Sequence, residues 1–200
     1  MKNFLVIQFL FTPIILFGQK FSEYKKIEVQ PVAHTSENYK GIDLVESYLF
    51  DNFEIFVGLE SAKWMIIIED NKKEIARIPG PWDSYSFSLN FFKTTNSSDP
   101  ILVFGRLGSE FYWGEQVVIM YEDKAMNAGD LLVGRYHEGE ETEEIIDYLI
   151  IKRFPEYILI EFDCDDLIID PSNLAIRIKS KENLRYYIKE NSLIEIRNKE

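Results

Sequence analysis

Apolar and polar residues alternate one for one along much of this chain. A period of two is satisfied only by extended backbone with one face buried. Tyr85, Phe87, Leu89 and Phe91 alternate with Ser84, Ser86, Ser88 and Asn90. Near the end, Leu174, Ile176 and Ile178 alternate with Ala175, Arg177 and Lys179. Leu184, Tyr186 and Ile188 then alternate with Arg185, Tyr187 and Lys189, and Ile194 and Ile196 with Glu195 and Arg197. The breaks at 180–183 and 190–192 have hairpin length, so residues 156–197 read as one antiparallel meander with a wet face.

Other stretches are apolar without alternation: Trp64 to Ile68, Val117 to Tyr121, Tyr148 to Ile151 and Tyr157 to Ile160. Runs this short and this rich in β-branched residues belong to strands covered on both faces. Asn71-Lys72 reads as a hairpin turn, and Pro79-Gly80-Pro81 ends the strand that follows. One segment carries a helical period: Ile42, Val45, Leu49 and Phe53 fall three to four apart, with Ser36 or Asp43 as caps. The expected fold is therefore all-β, an antiparallel sandwich or curled barrel of about ten to twelve strands. It includes one short helix near 42–52, and the alternative is an α+β layout in which that helix covers a sheet.

The first residues have a different character. Met1-Lys2-Asn3 precedes an apolar run from Phe4 to Phe17, interrupted by Gln8, Thr12 and Pro13. That length suits the apolar region of a secretory signal and is short for a membrane span of about 20 residues. Residues 1–18 are thus expected to be removed near Gly18, leaving 19–200 as one β-rich domain in a periplasm or outside the cell.

With 22 basic and 34 acidic residues the formal charge is −12, and loss of Lys2 would make it one unit more negative. Such a chain repels phosphate backbones and anionic lipid, and the densest basic stretches are only pairs such as Lys72-Lys73. Nucleic acid and, after cleavage, membrane are excluded as expected partners, while a basic protein or a glycan stays compatible. The single cysteine, Cys164, is flanked by Asp163 and Asp165, whose charge discourages a thiolate nucleophile.

Motifs for chemistry are sparse. His137-Glu138 starts like a zinc-protease helix but lacks the second histidine one turn on, and His34 is the only other histidine. Ser109 follows Gly108 instead of sitting between two glycines. Asp163, Asp165, Asp166 and Asp170 crowd one segment, as hard oxygen ligands for calcium would. Aromatic residues suited to stacking on sugar rings occur at Trp82 and Tyr85, after a Pro-Gly-Pro turn. They occur again at Phe111 and Trp113, which period two places on one face with Glu115. Trp82, Tyr85, Trp113 and Glu115 are the expected ligand contacts. Together these features suggest a non-catalytic exported binding domain. The alternative is a small hydrolase acting on polysaccharide through Glu110 and Glu115, which would need Gly114 to bulge the strand and bring them together.

Overall fold

The computed structural model describes residues 21–81, 84, 86–108, 112–136, 142–171 and 176–198. Among them the chain is almost wholly antiparallel strand, and none of the sheets closes into a barrel. The sandwich is the form observed. The described residues form 18 strands, more than expected, in part because five of them are only two or three residues long.

The first three strands each join a different sheet. β1 (Ser22–Glu23) pairs in a back sheet, β2 (Lys25–Ile27) in a middle sheet and β3 (Val32–Tyr39) in a front sheet. The front sheet is a simple meander of β3, β4 (Ile42–Phe50), β5 (Phe53–Glu60), β6 (Lys63–Asp70) and β7 (Lys73–Pro79). Three of its turns, Lys40-Gly41, Ser61-Ala62 and Asn71-Lys72, have positive φ at both residues. That backbone matches the twist of the flanking strands in a two-residue hairpin.

The middle sheet has β2 at one edge and then β8 (Leu89–Lys93), β9 (Ile101–Leu107), β10 (Gly114–Met120) and β11 (Ala125–Leu131). The remaining strands are β12 (Val133–Arg135), β13 (Leu149–Arg153), β14 (Ile158–Phe162), β15 (Leu167–Ile169), β16 (Ile176–Ile178), β17 (Leu184–Lys189) and β18 (Ser192–Arg197). They form the back sheet, β1-β13-β14-β17-β18, and a small sheet, β12-β15-β16.

The apolar runs explain the layering. Val118 and Met120 of β10 face the front, where they pack with Tyr48, Ile55, Ile66 and Ile68. Val117 and Ile119 face the back, against Ile151, Ile160, Phe162 and Tyr186. Each such side chain contributes about 1.5–3 kcal/mol by leaving water, so a strand buried on both faces is apolar along most of its length, and in β10 only Glu115 and Gln116 are buried polar exceptions. A third cluster, Ile42, Leu44, Phe56, Met65 and Ile67, lies on the other face of the front sheet. Strands β4 and β5 approach closely there, and Gly58 allows it, since a Cβ on Gly58 would stand 2.5 Å from the Asp43 carbonyl oxygen.

Three expectations need correction. Residues 42–52 form strand β4 and its turn, not a helix, and the α+β alternative falls with it. The pairing of β4 with β5 shifts register between Leu44 and Glu46, which marks a bulge. Ile42 and Leu44 face the third cluster before it; Val45, Tyr48 and Phe50 pack toward the front core after it. Ile42 and Val45 thus face different cores and Leu49 is 67% exposed, so their helical spacing marks no common buried face. Residues 156–197 are not one meander, because β15 and β16 leave the back sheet for the small one. Finally, among the described residues of the 84–91 alternation, strand begins only at Leu89, although Phe87 is buried against Trp64.

Candidate functional site

The chain passes from the back sheet to the small sheet through 163–166, and this crossing builds a concavity. Period two along β14 directs Phe162 into the back core and leaves Asp163 outside. Cys164 then turns inward, buried, while the Asp163 amide donates to the Tyr148 carbonyl at 2.7 Å. Asp166 has φ 58°, a left-handed turn that short polar side chains tolerate. Its carbonyl accepts from the Tyr136 amide at 2.7 Å, and its amide donates to the Lys179 carbonyl at 3.2 Å.

The result is a cleft of about 500 Å³ lined by Arg135, Tyr136, Tyr148, Asp163, Cys164, Asp165, Asp166 and Arg177. That volume falls within the range of small-molecule sites. Two guanidinium groups are held in it, each on a tyrosine ring. Arg135 lies 5.0 Å from the Tyr148 ring centre and donates through Nη1 to the Tyr148 hydroxyl at 2.7 Å and to Glu143 Oε2 at 3.1 Å. Arg177 lies 4.3 Å from the Tyr136 ring centre and donates through Nε and Nη2 to Asp166 Oδ1 at 3.1 and 2.8 Å. At the rim, Lys181 Nζ donates to Asp163 Oδ1 at 2.8 Å and its amide to Asp165 Oδ1 at 2.9 Å. Donors and acceptors therefore stand side by side, with charges that nearly cancel. Stacking and ion pairing hold these side chains next to one another in the cleft.

Burial pushes the Cys164 thiol up to about 11, with Asp165 and Asp163 adding to the shift against Arg135 and Lys181. The sulfur stays protonated at neutral pH and is no nucleophile.

The acids expected to bind calcium meet in part. Asp163, Asp165 and Asp166 share the cleft, but Asp170 lies beyond β15, and its amide donates to the Leu132 carbonyl at 2.9 Å. Three of the four carboxylates already accept from Lys181 or Arg177. Among the described residues, no group of three or more His, Cys, Asp or Glu side chains could hold a metal ion.

The expected aromatic contacts divide. Trp82 and Tyr85 lie outside the described residues, as do Ser109, Glu110, Phe111 and His137. Trp113 is half-buried just before β10, and its amide donates to the Leu107 carbonyl at 2.9 Å. Glu115 does not share an exposed face with it. Gly114 stands between them at φ 147°, where a Cβ would fall 2.1 Å from the Leu131 carbonyl oxygen, so the extended period is broken there. Glu115 is 0% exposed in the back core. Its Oε1 accepts from the Tyr112 hydroxyl at 3.1 Å, and Oε2 has no hydrogen-bond partner among the described residues. Burial raises its pKa to about 8. A carboxyl that keeps its proton suits a general acid, but one without exposed surface does not reach a glycosidic oxygen. His34 is bound to Glu37 and Ser47 at the front sheet.

Four cleft residues were not among the expected site residues: Arg135, Tyr136, Tyr148 and Arg177. They come from separate strands and turns, and no local pattern links them. No family model, curated protein or solved structure matches this chain.

Proposed function

We propose that this protein is an exported, non-catalytic binding module, and that its cleft takes a neutral, polyhydroxylated ligand of the glycan class. The observation that carries this is the charge-balanced lining, in which guanidinium donors and carboxylate acceptors alternate around about 500 Å³. A hydroxyl group donates one hydrogen bond and accepts others. Vicinal hydroxyls are therefore matched by an Arg–Asp pair, whereas an anion or a cation is repelled by one half of it. Tyr136 and Tyr148 supply the rigid backing that such a site needs. The composition agrees: the molecule is acidic, with no basic stripe to recruit nucleic acid.

Calorimetric titration with a panel of neutral mono- and disaccharides tests the reading. At least one is expected to bind, and Arg177→Ala or Asp163→Ala to weaken it by about tenfold or more, a single good contact's worth. Asp163 is an exposed rim residue, so its variant keeps the fold. Absence of heat across the whole panel would sink the proposal.

A further inference from the structure

Independently of what fills the cleft, we propose that two copies of this chain join through β18, each strand antiparallel to the other, so that the two back sheets become one. Any outer strand leaves a row of backbone donors and acceptors unpaired, and folded chains blunt such rows with short strands, bulges or proline. Among the described residues the four sheets have eight outer strands, and seven are blunted in these ways. β1, β2, β12 and β16 are two or three residues long. The pairings of β3, β7 and β11 each contain a register shift, and β7 ends on Pro79. β18 has six residues in unbroken register with its neighbour and no proline.

The turn before β18 fixes the phase of its free row. Glu190 and Asn191 have φ 53° and 62°, a two-residue hairpin turn whose flanking residues, Lys189 and Ser192, exchange hydrogen bonds. The alternation then directs the backbone of Ser192, Ile194 and Ile196 toward β17. In the same phase, the Asn198 amide donates to the Asn183 carbonyl at 3.0 Å. The backbone groups of Leu193, Glu195 and Arg197 therefore point away from the sheet. β11 lies beside β18 without pairing with it: Leu193 approaches Gly129 with its side chain, at right angles to the free row. On the outer face Ile194 and Ile196 stand 45% and 46% exposed, opposite Tyr187 and Arg185.

Side-chain charge selects a second copy as the occupant. Antiparallel pairing of two such rows about a two-fold axis centres on Ile194, Glu195 or Ile196. Centred on Ile194, it sets the Glu195 carboxylate against Leu193; centred on Glu195, it sets that carboxylate against its own copy. Centred on Ile196, it sets Glu195 opposite Arg197 twice and Ile196 on Ile196 between them. Unlike charges directly opposite each other stabilise a ladder, as do packed apolar pairs, and like charges weaken it. β18 is thus complementary to itself in one register. Within each copy Glu195 pairs with Arg197 and accepts from the Tyr186 hydroxyl at 2.7 Å, so the contact joins two ion pairs into one alternating network. The acidic excess of the chain lies elsewhere, because residues 184–198 carry Arg185, Lys189 and Arg197 against Glu190 and Glu195.

Sedimentation velocity of the whole chain from about 1 µM to about 1 mM tests the proposal. The expected result is a monomer–dimer equilibrium with Kd on the order of 10 µM, as fits a small contact. Ile196→Lys places two cations on the axis and should weaken it about tenfold or more. Ile196→Cys brings two sulfurs together across the axis at a Cα separation of about 4.5 Å, so it should cross-link on mild oxidation. Ile194→Cys is equally exposed but about 14 Å from its copy, and should not. Cys164 is buried and takes no part. A chain that stays monomeric over the whole range overturns the proposal. So does a dimer that Ile196→Lys leaves intact, or cross-linking through Ile194→Cys in place of Ile196→Cys. The two cysteine variants share one strand and one face, so a difference between them reports the register of the contact and not a folding defect.

Discussion

Glu69 in the front half and Glu115 in the back half are the two most buried acidic residues described, at 1% and 0% exposure, and the fold treats them in opposite ways. Glu69 accepts from the Tyr39 hydroxyl at 2.7 Å and from Lys40 Nζ at 2.5 Å, so its charge is matched by a cation from the adjoining hairpin turn. Glu115 has the Tyr112 hydroxyl alone, because the nearby Arg106 is engaged by Glu144 at 2.7 Å. A turn can bring a long cation back over its own sheet. A position facing the core between two sheets has no such neighbour, and the carboxyl answers by keeping its proton.

The largest expected effect lies at Glu115. Its folded pKa, near 8, stands above the ordinary 4.5, so between those values the folded state holds a proton that the unfolded state has released. Stability from this group is complete below about pH 4.5, falls as pH rises, and levels off above about pH 8. At about 1.36 kcal/mol per pKa unit the full fall is roughly 4–5 kcal/mol, an upper bound because the site can relax. Urea unfolding from pH 5 to 9 reads it, and Glu115→Gln should flatten the curve. An unchanged slope in that variant would erase the contrast between the halves.

A smaller effect is expected in the front half. Lys40→Met leaves Glu69 buried without its cation and should cost about 1–3 kcal/mol, less than for a fully buried pair because Lys40 is 35% exposed. If Glu69→Gln in the same background restores the loss, the cost belongs to the orphaned charge. If it does not, lost packing of the lysine stem is responsible. The smallest effect concerns the cleft acids. With Asp163 and Asp166 paired to Lys181 and Arg177, millimolar calcium should leave the unfolding midpoint unchanged. A site of about 10⁻⁴–10⁻³ M would add roughly 1–3 kcal/mol at 10 mM ion. A rise of that size would show that those pairs open for metal.

Burial on two faces was the most readable property of the sequence. Val117 to Met120 and Trp64 to Ile68 read as doubly covered strands because each stretch is apolar at every position. The Asn71-Lys72 turn was readable for its local chemistry, whereas Ser61-Ala62 adopts the same backbone with residues that give no such signal. Period counting failed over 42–53 because Ile42 and Val45 face different cores and Leu49 is exposed, while the bulge after Leu44 switches the face presented by the residues that follow. At the cleft, the crowded aspartates were visible and their partners were not. Arg135 and Arg177 lie 42 positions apart, and only the pairing of β12, β15 and β16 brings them to one rim.

The threading of residues 22–39 through three layers fixes an order of events as the chain is made. β3 meets its partner β4 within a few residues, while β2 waits for Phe91 to Lys93 and β1 for Lys152 and Arg153. Tyr24, buried between them, closes both gaps at once, its amide donating to the Ile151 carbonyl at 2.9 Å and its hydroxyl to the Pro100 carbonyl at 3.0 Å. The earliest residues of the described chain are therefore among the last to be secured. Such a molecule stays open along one side until most of its length has emerged, and then fastens like a lace drawn through three eyelets.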